Sequence, residues 1–175
     1  DALNEIASPA QCGVAMTNRK GLIVDFEKFF GRNLKKARHR LLLPNDLGVG
    51  ILSERRRREA LINASVDIAP EESILDIGEK SSQFLSYLVK RSGEVLWNGP
   101  LGYFEDELFE IGTRKLVQGL NSVSTKVVLG GGETVSAFYK FCGKPRRNVS
   151  VSSGGGAMLE FFLNQRLPGL VPLLK

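Results

Sequence analysis

Three glycine-bearing turns, each at the end of a short apolar run, constrain this chain more than any other feature. They are Trp97-Asn98-Gly99-Pro100, Gly130-Gly131-Gly132-Glu133-Thr134 and Ser152-Ser153-Gly154-Gly155-Gly156-Ala157. The runs before them, residues 95–97, 126–129 and 149–151, have strand length and strand composition. Helical periods lie between and after them. Residues 106–119 carry Leu108, Phe109, Ile111, Leu116 and Val117, residues 134–141 carry Val135, Ala137, Phe138 and Phe141, and residues 157–163 open a further helix. Upstream, residues 73–77 read as an extended segment and 81–91 as a helix with Phe84, Leu85 and Leu88 on one face. Short apolar strands alternating with helices predict an α/β fold, a three-layer, Rossmann-like open sheet that is mainly parallel with flanking helices.

In such a sheet ligands bind beyond the carboxyl ends of the strands, where all three turns fall. Glycine lets the backbone approach a ligand closely and adopt positive φ. Two of the turns lead straight into helices, whose unpaired first N–H groups and dipole favour an anion such as phosphate. One triple-glycine turn alone is equally well a tight strand-to-helix connection; two of them with an Asn-Gly-Pro turn in consecutive units carry more weight. There is no Gly-x-x-x-x-Gly-Lys-[Ser/Thr] sequence and no Gly-x-Gly-x-x-Gly turn with its acidic partner, which excludes a P-loop and a dinucleotide fingerprint.

Composition narrows the rest. Among 175 residues, 42% are hydrophobic and 25% charged, as in an ordinary globular domain and unlike a disordered or fibrous chain. No apolar run reaches the ~18 residues of a membrane span. Cys12 and Cys142 make neither a disulfide framework nor a zinc knuckle, so we expect a cytoplasmic or organellar protein rather than a secreted one. The chain begins at Asp1, as a processed form or a fragment would, and no targeting segment can be read.

The net charge of +5 sits entirely in residues 1–60; residues 61–175 are neutral. Lys35, Lys36, Arg38 and Arg40 form one basic cluster, and Arg55, Arg56, Arg57 and Arg58 another. The first falls in a helix expected over 26–40, with Phe26, Phe29, Phe30, Leu34 and Ala37 at apolar spacing, followed by a strand over 41–43. Residues 44–65 read as a glycine turn and then the arginine run. The clusters are either solvated faces or a docking patch for RNA or an acidic partner. We expect residues 1–65 to be a basic portion packing on a βα core over 66–175. Trp97 is expected in the core, and His39 at a helix end without a catalytic partner.

The ordered segments Leu75-Asp76-Ile77-Gly78, Val95-Leu96-Trp97-Asn98-Gly99-Pro100-Leu101-Gly102-Tyr103-Phe104-Glu105, Gly112-Thr113, Gly130-Gly131-Gly132-Glu133-Thr134, Ser152-Ser153-Gly154-Gly155-Gly156-Ala157-Met158-Leu159-Glu160 and Leu167-Pro168-Gly169 closely resemble the C-terminal, nucleotide-binding domain of phosphoglycerate kinase. Leu43-Pro44-Asn45-Asp46 resembles the family's Leu-Pro-Val-Asp, and the match reaches from about residue 24 to 172. The resemblance implies binding of Mg-ADP or Mg-ATP and phosphoryl transfer between 1,3-bisphosphoglycerate and ADP, the glycolytic reaction. Leu75, Asn98, Gly99 and Pro100 would line the adenine and ribose side, and Glu105 would accept from ribose hydroxyls. Gly131, Gly132, Glu133 and Thr134 would meet phosphates and Mg²⁺, with Glu133 as the metal ligand where the family usually has Asp. Gly154, Gly155 and Gly156 would face the phosphoryl group in transfer. The family's Gly-Gly-Ala-Lys-Val strand has no counterpart, and Ser8-Pro9-Ala10-Gln11-Cys12-Gly13-Val14-Ala15-Met16-Thr17 stands where a glycine turn walling the adenine is expected. The expected function is therefore the ADP/ATP-binding half of the kinase, inactive without an N-terminal substrate domain. The alternative is an inactive, kinase-derived structural subunit of a larger assembly, such as a ribonucleoprotein of the mitochondrial matrix.

Overall fold

The computed structural model describes residues 42–62, 68–122, 124–144, 146–164, 167, 169 and 172. The helix expected over 26–40, its basic cluster and residues 8–17 lie outside them. Leu42 and Leu43 are described and belong to no strand. The chain divides into two compact units, Asp1–Phe84 with Leu101–Thr113, and Leu85–Pro100 with Arg114–Lys175.

The first unit holds an antiparallel sheet in the order β2-β1-β3: β1 is Asp46–Ile51, β2 Arg56–Leu61 and β3 Ser73–Ile77. The β1–β2 hairpin replaces the turn and loop expected over 44–65. Its strands alternate: Leu47 and Val49 face one side and pack with Ala60 and Ile74 into a small core. The other side bears Gly48, Gly50, Arg57 and Asp76 (Gly50 pairs with Arg57 and Gly48 with Asp76). Those glycines make room for an arginine. A Cβ on Gly48 would lie 2.7 Å from Arg57 Nη2, and one on Gly50 would run into the Arg56 carbonyl and come 2.9 Å from the Phe109 ring. The Arg57 side chain, 9% exposed, lies over that ring and donates to the Leu108 carbonyl and to Glu59. Arg58 meets Glu72 with two hydrogen bonds.

Helix α1, Glu79–Arg91, begins in this unit. Its first turn is capped from a distance: the buried Asp46 carboxylate accepts the amides of Lys80 (2.9 Å) and Ser81 (2.8 Å). The buried side of α1 runs through Ser82 and Val89, while Phe84 is 47% exposed, so the apolar face expected on Phe84 is displaced.

The second unit holds β4 Glu94–Asn98, β5 Lys126–Gly130 and β6 Val149–Ser152, all parallel, in the order β4-β5-β6. Helix α2 is Ile111–Asn121, α3 Gly132–Cys142 and α4 Gly155–Asn164. Trp97, Leu116, Val117, Leu120, Val127, Leu129, Ala137 and Phe138 are buried and form its core, Trp97 as expected. The expected helix over 106–119 starts five residues late. Asp106 accepts the Leu108 amide through its side chain and the Phe109 amide through its carbonyl, closing a separate turn before α2.

Candidate functional site

All three glycine turns belong to the second unit, and they converge. β4 and β5 run parallel with Asn98 level with Gly130, and β5 and β6 with Gly130 level with Ser152. The turns therefore leave the sheet at one end, side by side. The Gly131 amide donates to the Ser152 carbonyl (2.9 Å), tying the second turn to the third. The exposed Asn98 side chain reaches between them. A Cβ on Gly155 would lie 2.6 Å from Asn98 Oδ1, 2.9 Å from Gly131 Cα and 3.0 Å from Gly131 N. A Cβ on Gly131, whose φ is +89°, would lie 3.2 Å from the same Oδ1.

Other glycines of the set face open space. A Cβ on Gly132 or Gly156 would meet nothing within 4 Å, and one on Gly154 only the Ala157 Cβ at 3.6 Å. Close packing thus requires glycine at 155, while 132 and 156 leave the surface bare where α3 and α4 begin. No side chain caps α3 at Gly131. The first-turn N–H groups of such a helix lack intrahelical partners and carry the positive end of its dipole, which suits an anion. Glu133 is exposed in that first turn.

Thr134, which the resemblance places at the phosphates, has its side chain engaged within the protein. Its side chain is buried, and Oγ1 accepts the Gly99 amide at 2.7 Å. The Trp97 indole N–H donates to the carbonyl of the same Gly99 at 2.6 Å. Pro100 is buried. Leu75 and Glu105 belong to the first unit, where the Leu75 carbonyl accepts the Tyr103 amide at 2.7 Å and the Leu75 side chain is buried. Of the arginine run, Arg57 and Arg58 are held by Asp76, Glu59 and Glu72 inside the first unit, and Arg56 lies 3.6 Å from Glu54.

A groove of about 300 Å³ lies beside the third turn, lined by Ser152, Gly154, Ala157, Met158, Phe161 and Leu167. Its walls are mostly apolar, so it is no phosphate cradle. Among the described residues no three His, Cys, Asp or Glu side chains gather to form a metal cage. Glu133 alone still fits Mg²⁺, which keeps most of its waters and is commonly held by one or two carboxylates together with substrate phosphates.

Sequence reasoning put Arg57 in a solvated or docking cluster and gave Asp46 and Asp76 no role of their own, so the contacts they make were not foreseen. The alternation Leu47-Gly48-Val49-Gly50 beside an arginine run was the available signal: small residues on one strand face opposite a long cation on the next.

Comparison with known proteins bears on this arrangement. The family model for phosphoglycerate kinase matches residues 11–165. The chain is similar to the solved structure of phosphoglycerate kinase from Coxiella burnetii, at 34% identity and a TM-score of 0.67, over 78% of this chain and 35% of that one. It is also similar to phosphoglycerate kinase from Pyrococcus horikoshii OT3, at 28% identity and a TM-score of 0.75, over 91% of this chain and 38% of that one. It therefore spans little more than a third of these relatives.

Proposed function

The chain belongs to the phosphoglycerate kinase family, and from that premise we propose that it is the nucleotide-binding part of such a kinase, taking ADP or ATP at the three converging turns. The observation that carries this reading is the packing of Asn98, Gly131 and Gly155 against one another, which places the start of α3, capped by no side chain, beside the start of α4 around bare backbone. Polyphosphate bound there meets backbone N–H groups at α3 and α4, with Gly132, Gly154 and Gly156 admitting close approach. Glu133 repels polyphosphate unless a cation intervenes; it holds Mg²⁺ there, and the ion neutralises phosphate charge when bound. Gly154, Gly155 and Gly156 then face the group in transfer, while Asn98, Gly99 and Pro100 serve the nucleoside.

Phosphoryl transfer depends on positioning and on neutralising charge around the transferred group from both substrates' sides. The glycine turns supply the nucleotide side. On this reading the chain takes part in moving a phosphoryl group between a glycerate acyl phosphate and ADP, which leaves the glycerate carboxylate and ATP, only when the substrate-binding part of the kinase is also present. Isothermal calorimetry with Mg-ADP tests the proposal directly: saturable heat at or below millimolar nucleotide, diminished when EDTA removes the magnesium, is expected. No heat up to millimolar Mg-ADP would sink it. The structural-subunit alternative drew on the missing lysine strand, the altered residues 8–17 and the basic excess of residues 1–60; of that excess, Arg57 and Arg58 are engaged inside their own unit.

A further inference from the structure

We propose that the Thr134 hydroxyl is a positioning residue: it holds the Asn98-Gly99-Pro100 turn in place from α3, so that Asn98 stands between the two triple-glycine turns. The inference rests on the nucleotide reading of this site and gives Thr134 a task other than touching phosphate.

The Gly99 peptide is pinned on both sides. Its N–H donates to Thr134 Oγ1 at 2.7 Å, and its C=O accepts the Trp97 indole N–H at 2.6 Å. Gly99 has φ +103°, a backbone conformation that glycine adopts about as readily as its negative-φ ones, so local preference alone does not hold the turn. Nothing meets a Cβ on Gly99 within 4 Å, so packing around Gly99 itself does not hold it either. The two hydrogen bonds do, and both of their partners are buried. Thr134 sits two residues into α3, directly after the turn Gly130-Gly131-Gly132-Glu133, so the bond fastens the end of β4 to the helix start beside it. Asn98 is the residue before Gly99. Its Oδ1 lies against Gly130, Gly131 and Gly155 at the close approaches that only glycine permits. Releasing Gly99 therefore frees Asn98 and opens the gap between the second and third turns.

The hydroxyl and the methyl of Thr134 make opposite predictions. Thr134→Val keeps shape and methyl and removes the acceptor. Thr134→Ser keeps the acceptor and removes the methyl. If the hydroxyl positions the turn, Thr134→Val speeds amide hydrogen exchange at Gly99 and weakens Mg-ADP binding, each by roughly tenfold, as expected for one lost partly buried hydrogen bond. Thr134→Ser then restores both, with the far-UV spectrum of all three proteins alike. A packing role gives the reverse order, with serine the damaging change, and would overturn the proposal. So would unchanged Gly99 exchange in Thr134→Val. Should the wild-type chain bind no Mg-ADP, the nucleotide reading falls while Gly99 exchange across the two variants still decides whether the pin exists.

Discussion

At Asp76 burial and charge pull in opposite directions. Its carboxylate accepts the amides of Gly112 (3.0 Å) and Ile77 (2.9 Å) and lies 3.4 Å from Arg57, all of which favour the ionised form. Burial opposes them and wins, raising its pKa from 3.8 to about 7. The folded chain thus holds this proton more tightly than the unfolded chain. Its contribution to stability is complete below about pH 4 and is lost as pH rises towards 7, by at most about 4 kcal/mol. The carboxyl carbon resonance of Asp76 should titrate near pH 7, and the urea midpoint should rise from pH 8 to pH 5 in the wild type but stay flat in Asp76→Asn. Titration near pH 4 would refute this. Glu72 acts in the opposite sense and in another window. The Arg58 hydrogen bonds hold its pKa down at about 2, so its support is lost only as acid takes the pH below the ordinary glutamate range.

Glycines 155 and 156 offer a second contrast between single residues. Gly155→Ala drives a methyl into Gly131 and Asn98, two of whose three nearest atoms are backbone, and should cost about 1–3 kcal/mol. Gly156→Ala meets nothing within 4 Å and lies in α4, where alanine gains roughly 0.5–1 kcal/mol over glycine. If bare backbone at 156 serves phosphate, this more stable variant should nonetheless bind Mg-ADP several-fold more weakly; thermal melting and calorimetry on the same samples check both halves.

Among the elements, α1 shows how a strand can cap a helix distant in sequence. Asp46 supplies the carboxylate that Lys80 and Ser81 donate to, and a Cβ on Gly78 would strike it. Asp46→Ala should cost about 1–2 kcal/mol, read as a lower urea midpoint, with Asp46→Asn recovering part of it. This pairing spans more than thirty positions, which no local period reveals. The same distinction governs what was legible. β4, β5, β6, α3 and α4 stand within two residues of their expected places because each is a short apolar run before a glycine turn or a period-3.6 stripe after one. The hairpin of β1 and β2 was hidden. Its glycines read as a turn and its arginines as a loop, and only the cross-strand fit of Arg57 over Gly48 and Gly50 makes strands of both. At the site, glycine spacing marked the three turns, whereas the buried Thr134 and the Trp97 indole bond depend on how β4 and α3 pack.

For the whole molecule the question is what a chain spanning 35–38% of its solved relatives can do. Nucleotide affinity and turnover should separate. On the proposed reading, binding needs only the second unit's helix starts and bare turns, whereas transfer needs the acyl phosphate held in line with the ADP oxygen and its charge neutralised. In a coupled assay with 1,3-bisphosphoglycerate and Mg-ADP, the chain alone should give no ATP above the buffer rate. Added to the substrate-binding part of a phosphoglycerate kinase, it should give ATP at a rate that rises with the concentration of that part, because the two sides of the reaction must first meet in solution. A short flexible covalent linker holds two modules at an effective concentration of about millimolar, so with both parts at micromolar concentration the reconstituted rate should stay far below that of a covalently complete kinase. Gly155→Ala should abolish it by displacing Gly131 and Asn98. Turnover by the chain alone would show that it positions both substrates itself, and a reconstituted rate indifferent to Gly155→Ala would show that the converging turns are not where the phosphoryl group passes.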